Sequence, residues 1–434
     1  MTTFYVSVAV FMMMLISVST VNGKTVGCAG FGLLEGVEDD MDEDSCKEFV
    51  RRMSLPFLPR NGHVRDPRLI WHQNLTELPG DPECRGRGWL LSGVEPRECH
   101  CFFEAVGARC ERDRNRSPDS NYIRGAVVYL LYGHERYHAA LRESIHHLTL
   151  SFLVQYPQYY VLVFHSPNFA AAMYPGGPSY LEDLQAAAAG VAEVRFAEVT
   201  IDYPAAWKER FTASPPNGMP CGNYTPDYLH MGRFFQRLMF EHPALDGLDY
   251  IWRLDADVEL RLGVPCDIFA IAARSRAVLG YYYYCDYEHH LCGVLEGRAA
   301  ALEYAEALGF EPNHLRILPP QSSYMGFWGV FDLRFWRSGP VARFSQHMDE
   351  AGLAYTHRLG EQAFYALATG LFAPPAALHQ YAALGPFMHR SVEIIMGQRE
   401  INGLNLVAVD PFCPEAAEWE CNEVSEQRRL PRRV

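Results

Sequence analysis

From residue 125 onward, short apolar runs alternate with helical stretches, and this alternation constrains the fold more than any other feature of the chain. GAVVYLLY (125–132), YYVLVFHS (159–166), VRFAEVTI (194–201), DYIWRLDADVEL (249–260) and AVLGYYYY (277–284) each read as strands. Between them, residues 136–155 carry Leu141, Ile145, Leu148, Phe152 and Val154 on or near one face, as an amphipathic helix does. Residues 230–242 and 296–308 also read as helices. Strands alternating with helices specify an α/β domain with a mostly parallel sheet. Ligands of such sheets bind beyond the carboxyl ends of the strands.

The run Tyr250, Ile251, Trp252, Leu254 leads straight into Asp255 and Asp257. Carboxylates two residues apart in a strand share a face. At a strand end they can meet one hard divalent cation, which prefers oxygen ligands and keeps positions open for phosphates. That chemistry suits transfer from a sugar nucleotide. A bare acid-x-acid pair is usually a solvated turn, and its position after a buried strand is what gives it weight.

The 434 residues allow one large domain or two ordinary ones. A formal net charge of -14 gives no electrostatic reason to hold nucleic acid. The acidic run Glu38 to Asp44 reads as a solvated loop. Residues 1–23 start without a basic residue and continue through an uncharged run from Tyr5 to Val18 to Val21-Asn22-Gly23, which reads as a secretory signal cleaved near Gly23. An uncleaved signal anchor is the alternative, and membrane association is expected only in that case. The 12 cysteines agree with an oxidising compartment, and no paired C-x-x-C spacing supports zinc. In a luminal chain Asn74 and Asn223 head glycosylation sequons, with Asn115 a poorer one because Pro118 follows it.

Residues 24–120 form a segment rich in Gly, Pro, Cys and charge with little periodic apolar pattern. Cys99-His100-Cys101, Gly107 and Cys110 match the spacing of the closing half of an EGF-like module, and a disulfide between Cys101 and Cys110 is expected. The upstream cysteines are too far apart for a whole repeat, so a loop-rich extension stapled by disulfides fits as well.

Region 121–410 resembles glycosyltransferase family 15, the fungal α-1,2-mannosyltransferases of the secretory pathway. The blocks YLHMGRFF (228–235), HPALDGLDYIWRLDADVEL (242–260), FWGVFDLRFWRS (327–338), YTHRLGEQAFYALATGLF (355–372) and LHQYAALGPFMHR (378–390) carry the likeness in order and spacing. The resemblance implies a GT-A fold for residues 121–434, a GDP-mannose donor, Mn2+, and transfer that retains anomeric configuration to a glycan or glycoprotein acceptor, in the Golgi lumen. On the family's pattern, Asp255 and Asp257 hold metal and diphosphate, with His389 as a third metal ligand if the alignment slips by one from Met388. Arg233 is the block arginine, for phosphate. Tyr228 is the block tyrosine, for diphosphate or acceptor, and Glu361 replaces the family's acid after the glycine, as a base or acceptor hold.

Each position has a plainer reading: a structural histidine at 389, a salt bridge at Arg233, a core tyrosine at 228 and a helix-start acid at Glu361. Arg253, inside a strand, reads as one half of a buried ion pair. Gly329 stands where the family carries its proposed nucleophilic glutamate, and the nearest acid is Asp332, expected to be structural. The same fold using another sugar nucleotide, or a non-catalytic carbohydrate-binding or adhesion protein, are the alternative functions.

Overall fold

The computed structural model describes residues 80–381 except 94–96, 115–121, 175–176, 217–223, 261–263, 265–266, 283, 286–292 and 325. Outside that range it describes only the backbone of a few short strands. The signal segment 1–23, the acidic run, the three sequon asparagines and Cys28, Cys46, Cys221, Cys266, Cys292, Cys413 and Cys421 lie outside the described residues.

The strands that build the domain are β1 (Gly125–Leu131), β2 (Tyr160–His165), β3 (Val194–Glu198), β4 (Tyr250–Leu254), β5 (Val258–Leu260), β6 (Leu279–Tyr281), β7 (Trp328–Asp332), β8 (Leu378–Gln380) and β9 (Phe387–His389). Seven of them form one sheet in the order β3-β2-β1-β4-β7-β6-β8. Its pairings are parallel except the two that β7 makes with β4 and β6. The expected mostly parallel α/β sheet is present. The reversed strand β7 comes from a block whose aromatic residues gave no sign of direction.

Both faces of the sheet are covered, so its strands are apolar throughout. Val128, Leu130 and Ile251 face one core; Val127, Tyr129, Leu131, Trp252 and Leu254 face the other. The second core is closed by α1 (Arg136–Leu148), through Leu141, Ile145 and Leu148. The first is closed by α2 (Pro226–Arg233) with its continuation, by α3 (Val294–Leu308) and by α4 (Glu361–Phe372). Tyr281 and Tyr282 fall on opposite faces, and both are buried against other aromatics, Tyr324 and Trp328 respectively.

The cysteine-rich stretch is stapled by disulfides Cys84–Cys99 and Cys101–Cys110, the second as expected from the spacing. Gly107 sits in the closed loop at φ 109°, a conformation that side chains avoid. The described part of this stretch is not a free-standing unit. Trp89, Leu91 and Phe102 belong to the main core, and only Cys84, Ala105 and Cys110 form a cluster of their own. It docks at the pole of the sheet where β4 begins. There Arg114 and Arg124 both pair with the buried Asp249, and Phe103 lies against Tyr250.

Asp332 anchors that junction. It ends β7, caps the short helix Leu333–Trp336 and accepts from the Arg334 backbone N at 3.0 Å and Nε at 2.9 Å. His100, between the two stapled cysteines, brings Nε2 to 3.2 Å from its Oδ2. Burial works against the Asp332 carboxylate, but Arg334 and His100 outweigh it and hold its pKa below the ordinary range. A carboxyl depressed in the folded state stabilises above the unfolded pKa and loses that contribution as pH falls toward the folded value. Asp332→Asn is therefore expected to lower unfolding free energy by about 3–5 kcal/mol at pH 7, the cost of breaking a buried pair. Urea titrations should show the gap to wild type narrowing only below about pH 3.9.

Candidate functional site

β4 stops at Leu254, and the acids follow on a turn rather than on the strand itself. The Asp255 amide still donates to the Phe327 carbonyl at 3.0 Å, and Val258 N closes the turn on the Asp255 carbonyl at 3.1 Å. Ala256 is buried between them, while Asp255 and Asp257 keep partial exposure. The pair therefore stands at the carboxyl pole of the parallel strands, where such sheets bind ligands. β5 leaves this turn and pairs antiparallel with β9, which sets His389 opposite Val258 in the ladder. The backbone thus brings the third expected ligand position next to Asp257; the His389 side chain is outside the described ones. Among the described residues no three His, Cys, Asp or Glu side chains converge as a metal site. Two partly exposed carboxylates on one turn remain a fitting donor set for a hard cation that keeps open positions.

Two residues before Asp255, Arg253 is fully buried. Its Nη2 donates to Asp255 Oδ1 at 2.7 Å and to Glu361 Oε1 at 3.2 Å. Its guanidinium lies 3.7 Å over the Phe235 ring. Burial opposes the charge, but Asp255, Tyr365 and Glu361 together raise the guanidinium pKa above its ordinary value. Arg253 is the buried ion-pair residue that its place in a strand implied, with two carboxylate partners. Glu361 opens α4 directly after Gly360, so it is also the helix-start acid of the plainer reading.

The other wall is α2. Thr225 caps it, accepting from Tyr228 N, and Pro226 occupies its first turn. The helix continues as a π-helical turn, Phe234–Leu238, a distortion frequent at functional sites. Within that turn Phe235 underlies Arg253, and Gln236 Nε2 donates to the Leu359 carbonyl at 2.6 Å, fastening the loop ahead of Glu361. A small cleft opens here, lined by Tyr228, Gly232, Arg358, Gly360, Glu361 and Gln362.

Tyr228 is half-buried beside Tyr224, and its hydroxyl accepts from Arg358 Nη2 at 2.9 Å. Arg358 was missed by residue-level reading, although it heads the RLGEQA segment that supplied Glu361. Its guanidinium covers the Tyr224 ring at 3.9 Å. Arg233 does not join this wall. Nε and Nη2 form a fork onto Asp349 at 2.6 and 2.8 Å, and Nη1 donates to the Asp202 carbonyl. All three nitrogens are engaged, which is the geometry of the salt-bridge reading rather than of an open phosphate clamp.

Gly329 pairs with Arg253 across the ladder. A Cβ there would lie 2.8 Å from the Phe331 ring, so the ring occupies the space a side chain would need. Asp332 pairs with Tyr250 at the start of β4, while Asp255 follows its end. At the usual rise per residue they are roughly 16 Å apart along the strand. Asp332 therefore does not replace the missing glutamate.

A family model described as glycolipid 2-alpha-mannosyltransferase matches residues 111–397. Curated relatives include the α-1,2-mannosyltransferase KTR1 of Saccharomyces cerevisiae, 24% identical over 166 residues, and the probable mannosyltransferase KTR4 of the same yeast, 25% identical over 179. Each match covers 36% of this chain, and 42% and 38% of the relatives, so the aligned stretch spans less than half of their length. Among solved structures, core-mannan synthase A of Aspergillus fumigatus in its Mn/GDP form superposes with TM-score 0.50 at 15% identity, covering 82% of this chain and 94% of that one. The yeast mannosyltransferase Ktr4p in complex with GDP gives 0.51 at 14%, covering 90% and 100%. At these identities the structural likeness shows the fold, a GT-A-like α/β arrangement.

Gly326 packs tightly against Glu361: a Cβ there would lie 2.5 Å from Glu361 Oε1. The nearer obstacle is the end of the Glu361 side chain and the next is Gln362 Cγ at 2.7 Å, so Gly326→Ala is expected to displace the Glu361 carboxylate from Arg253 and shift Gln362, with circular dichroism to check that it folds. If Glu361 serves the reaction, turnover should fall by at least about tenfold, the low end of acid–base contributions. Unchanged turnover with a displaced carboxylate would remove Glu361 from the mechanism.

Proposed function

Because the chain belongs to the glycolipid 2-alpha-mannosyltransferase family, we propose that it is a metal-dependent retaining mannosyltransferase that takes GDP-mannose and transfers mannose to a glycan hydroxyl. The observation that carries the reading is the linkage, through Arg253, of the acid pair at the carboxyl pole to Glu361 in the adjoining cleft. Asp255 and Asp257, with His389, would hold the divalent metal. When bound, that metal supplies positive charge against the diphosphate oxygens as the donor bond breaks. The Mn/GDP form of the Aspergillus fumigatus synthase supports the choice of Mn2+ and a guanosine nucleotide.

The chain's own residues supply position. Tyr228 and Arg358 form one wall, with the arginine orienting the tyrosine hydroxyl. Glu361 faces the cleft from the start of α4 and would hold the acceptor hydroxyl. With the Gly329 position filled by the Phe331 ring, we favour same-face transfer, in which the acceptor is held against the departing diphosphate without a covalent glycosyl-enzyme. Arg233 enters this proposal only through the fold of α2.

We place the chain in the secretory lumen, with the Golgi as its site. The two disulfides fit an oxidising compartment. Among the described residues no helix is long and apolar enough to cross a membrane. Residues 99–110, with the successive bridges Cys84–Cys99 and Cys101–Cys110 and two small hairpins around them, fit the closing half of an EGF-like module.

GDP release from GDP-mannose by the full chain, with and without Mn2+, tests the proposal. Mn2+-dependent release is expected, and Asp257→Asn should abolish it with the melting temperature unchanged, because the carboxylate lies on a partly exposed turn. Release from a uridine sugar nucleotide instead would replace the donor. No release from any sugar nucleotide would defeat the enzyme reading.

A further inference from the structure

Arg253 holds more hydrogen-bonding capacity than it uses. It is wholly buried, yet one nitrogen, Nη2, serves both Asp255 and Glu361. Among the described residues Nε and Nη1 meet no acceptor in hydrogen-bond geometry. Gly326 lets these groups approach the backbone closely on that side: a Cβ there would stand 3.0 Å from Nη1 and 2.5 Å from Glu361 Oε1. Phe235 supports the guanidinium plane from below, so a small in-plane rotation keeps the stacking contact.

We propose that Arg253 is a positioning residue that makes the metal site and Glu361 compete for one cation. The proposal rests on reading Asp255 as a metal ligand. Without metal, Arg253 is divided between Asp255 and Glu361. A divalent cation on Asp255 competes with Arg253 for that carboxylate, and the released donors turn to Glu361. Glu361 is then held in one place only when the metal site is filled, so donor binding precedes productive capture of the acceptor. Conversely, the Glu361 charge eases metal binding by drawing Arg253 away from Asp255.

Mn2+ affinity of the full chain, read from the free-Mn2+ EPR signal with no donor or acceptor present, tests this. Glu361→Gln should weaken binding by about tenfold, the scale of one unit charge acting in a partly buried site. Arg253→Gln should tighten binding, because a competing cation is gone; damage to a merely structural residue would weaken it. In the Arg253→Gln background, adding Glu361→Gln should change affinity less than twofold. The same loss in both backgrounds, or none in either, overturns the coupling while leaving the metal site standing. Mn2+ binding that ignores Asp257→Asn overturns the metal reading and this proposal together. Should Arg253→Gln fail to fold, guanidinium 15N spectra of the wild-type chain serve instead: the Arg253 signals should shift on saturation with Mg2+, and unmoved signals overturn the proposal.

Discussion

A charged arginine inside the central sheet is the constraint on which the rest of this structure turns. Removing a guanidinium from water costs several kcal/mol even after relaxation, and attraction repays that only with good geometry. Arg253 meets the requirement with two carboxylates and an aromatic face. Each partner comes from a different element: Asp255 from the turn after β4, Glu361 from the first residue of α4, and Phe235 from the π-helical turn beyond α2. The elements that wall the cleft are therefore fixed relative to each other by one side chain. The π-helical register of Phe234–Leu238 belongs to the same arrangement, since it turns Phe235 toward Arg253 and Gln236 toward the Leu359 carbonyl.

A second buried charge cluster sits at the opposite end of the same two strands. Asp332, Arg334 and His100 join the stapled segment to the place where β4 begins, and Asp249 with Arg114 and Arg124 completes the junction. The antiparallel pairing of β7 with β4 keeps these clusters apart, because Tyr250 meets Asp332 and Leu254 meets Trp328. One pole thus holds the fold together, and the other carries partly exposed acids beside a cleft. The separation explains how Asp332 can be strongly paired without restricting the site.

The absent glutamate has a local cause as well. On β7 the ring of Phe331 bends back over Gly329, opposite Arg253. A carboxylate at that position would displace the ring and add a third acid around a single guanidinium. The packing at Gly329 and the pairing at Arg253 are mutually consistent.

Periodicity alone carried the α/β class, the strands near 125, 160, 194, 250 and 279, and the acid pair at a strand end, because burial on both faces writes continuous apolar runs into a sequence. The Cys101–Cys110 bridge was legible for a similar reason, since a short loop between cysteines is a local constraint. Direction and partnership were not legible. Nothing in WGVFD marks it as antiparallel, and Arg358 looked like any loop arginine until its fork met the Tyr228 hydroxyl. Arg233 and Glu361 looked equally available as site residues, yet tertiary packing closed the first onto Asp349 and turned the second toward Arg253 and the cleft. Local pattern determines which segments become strands and helices. Which charges meet depends on contacts more than a hundred residues apart, and only the folded chain brings those together.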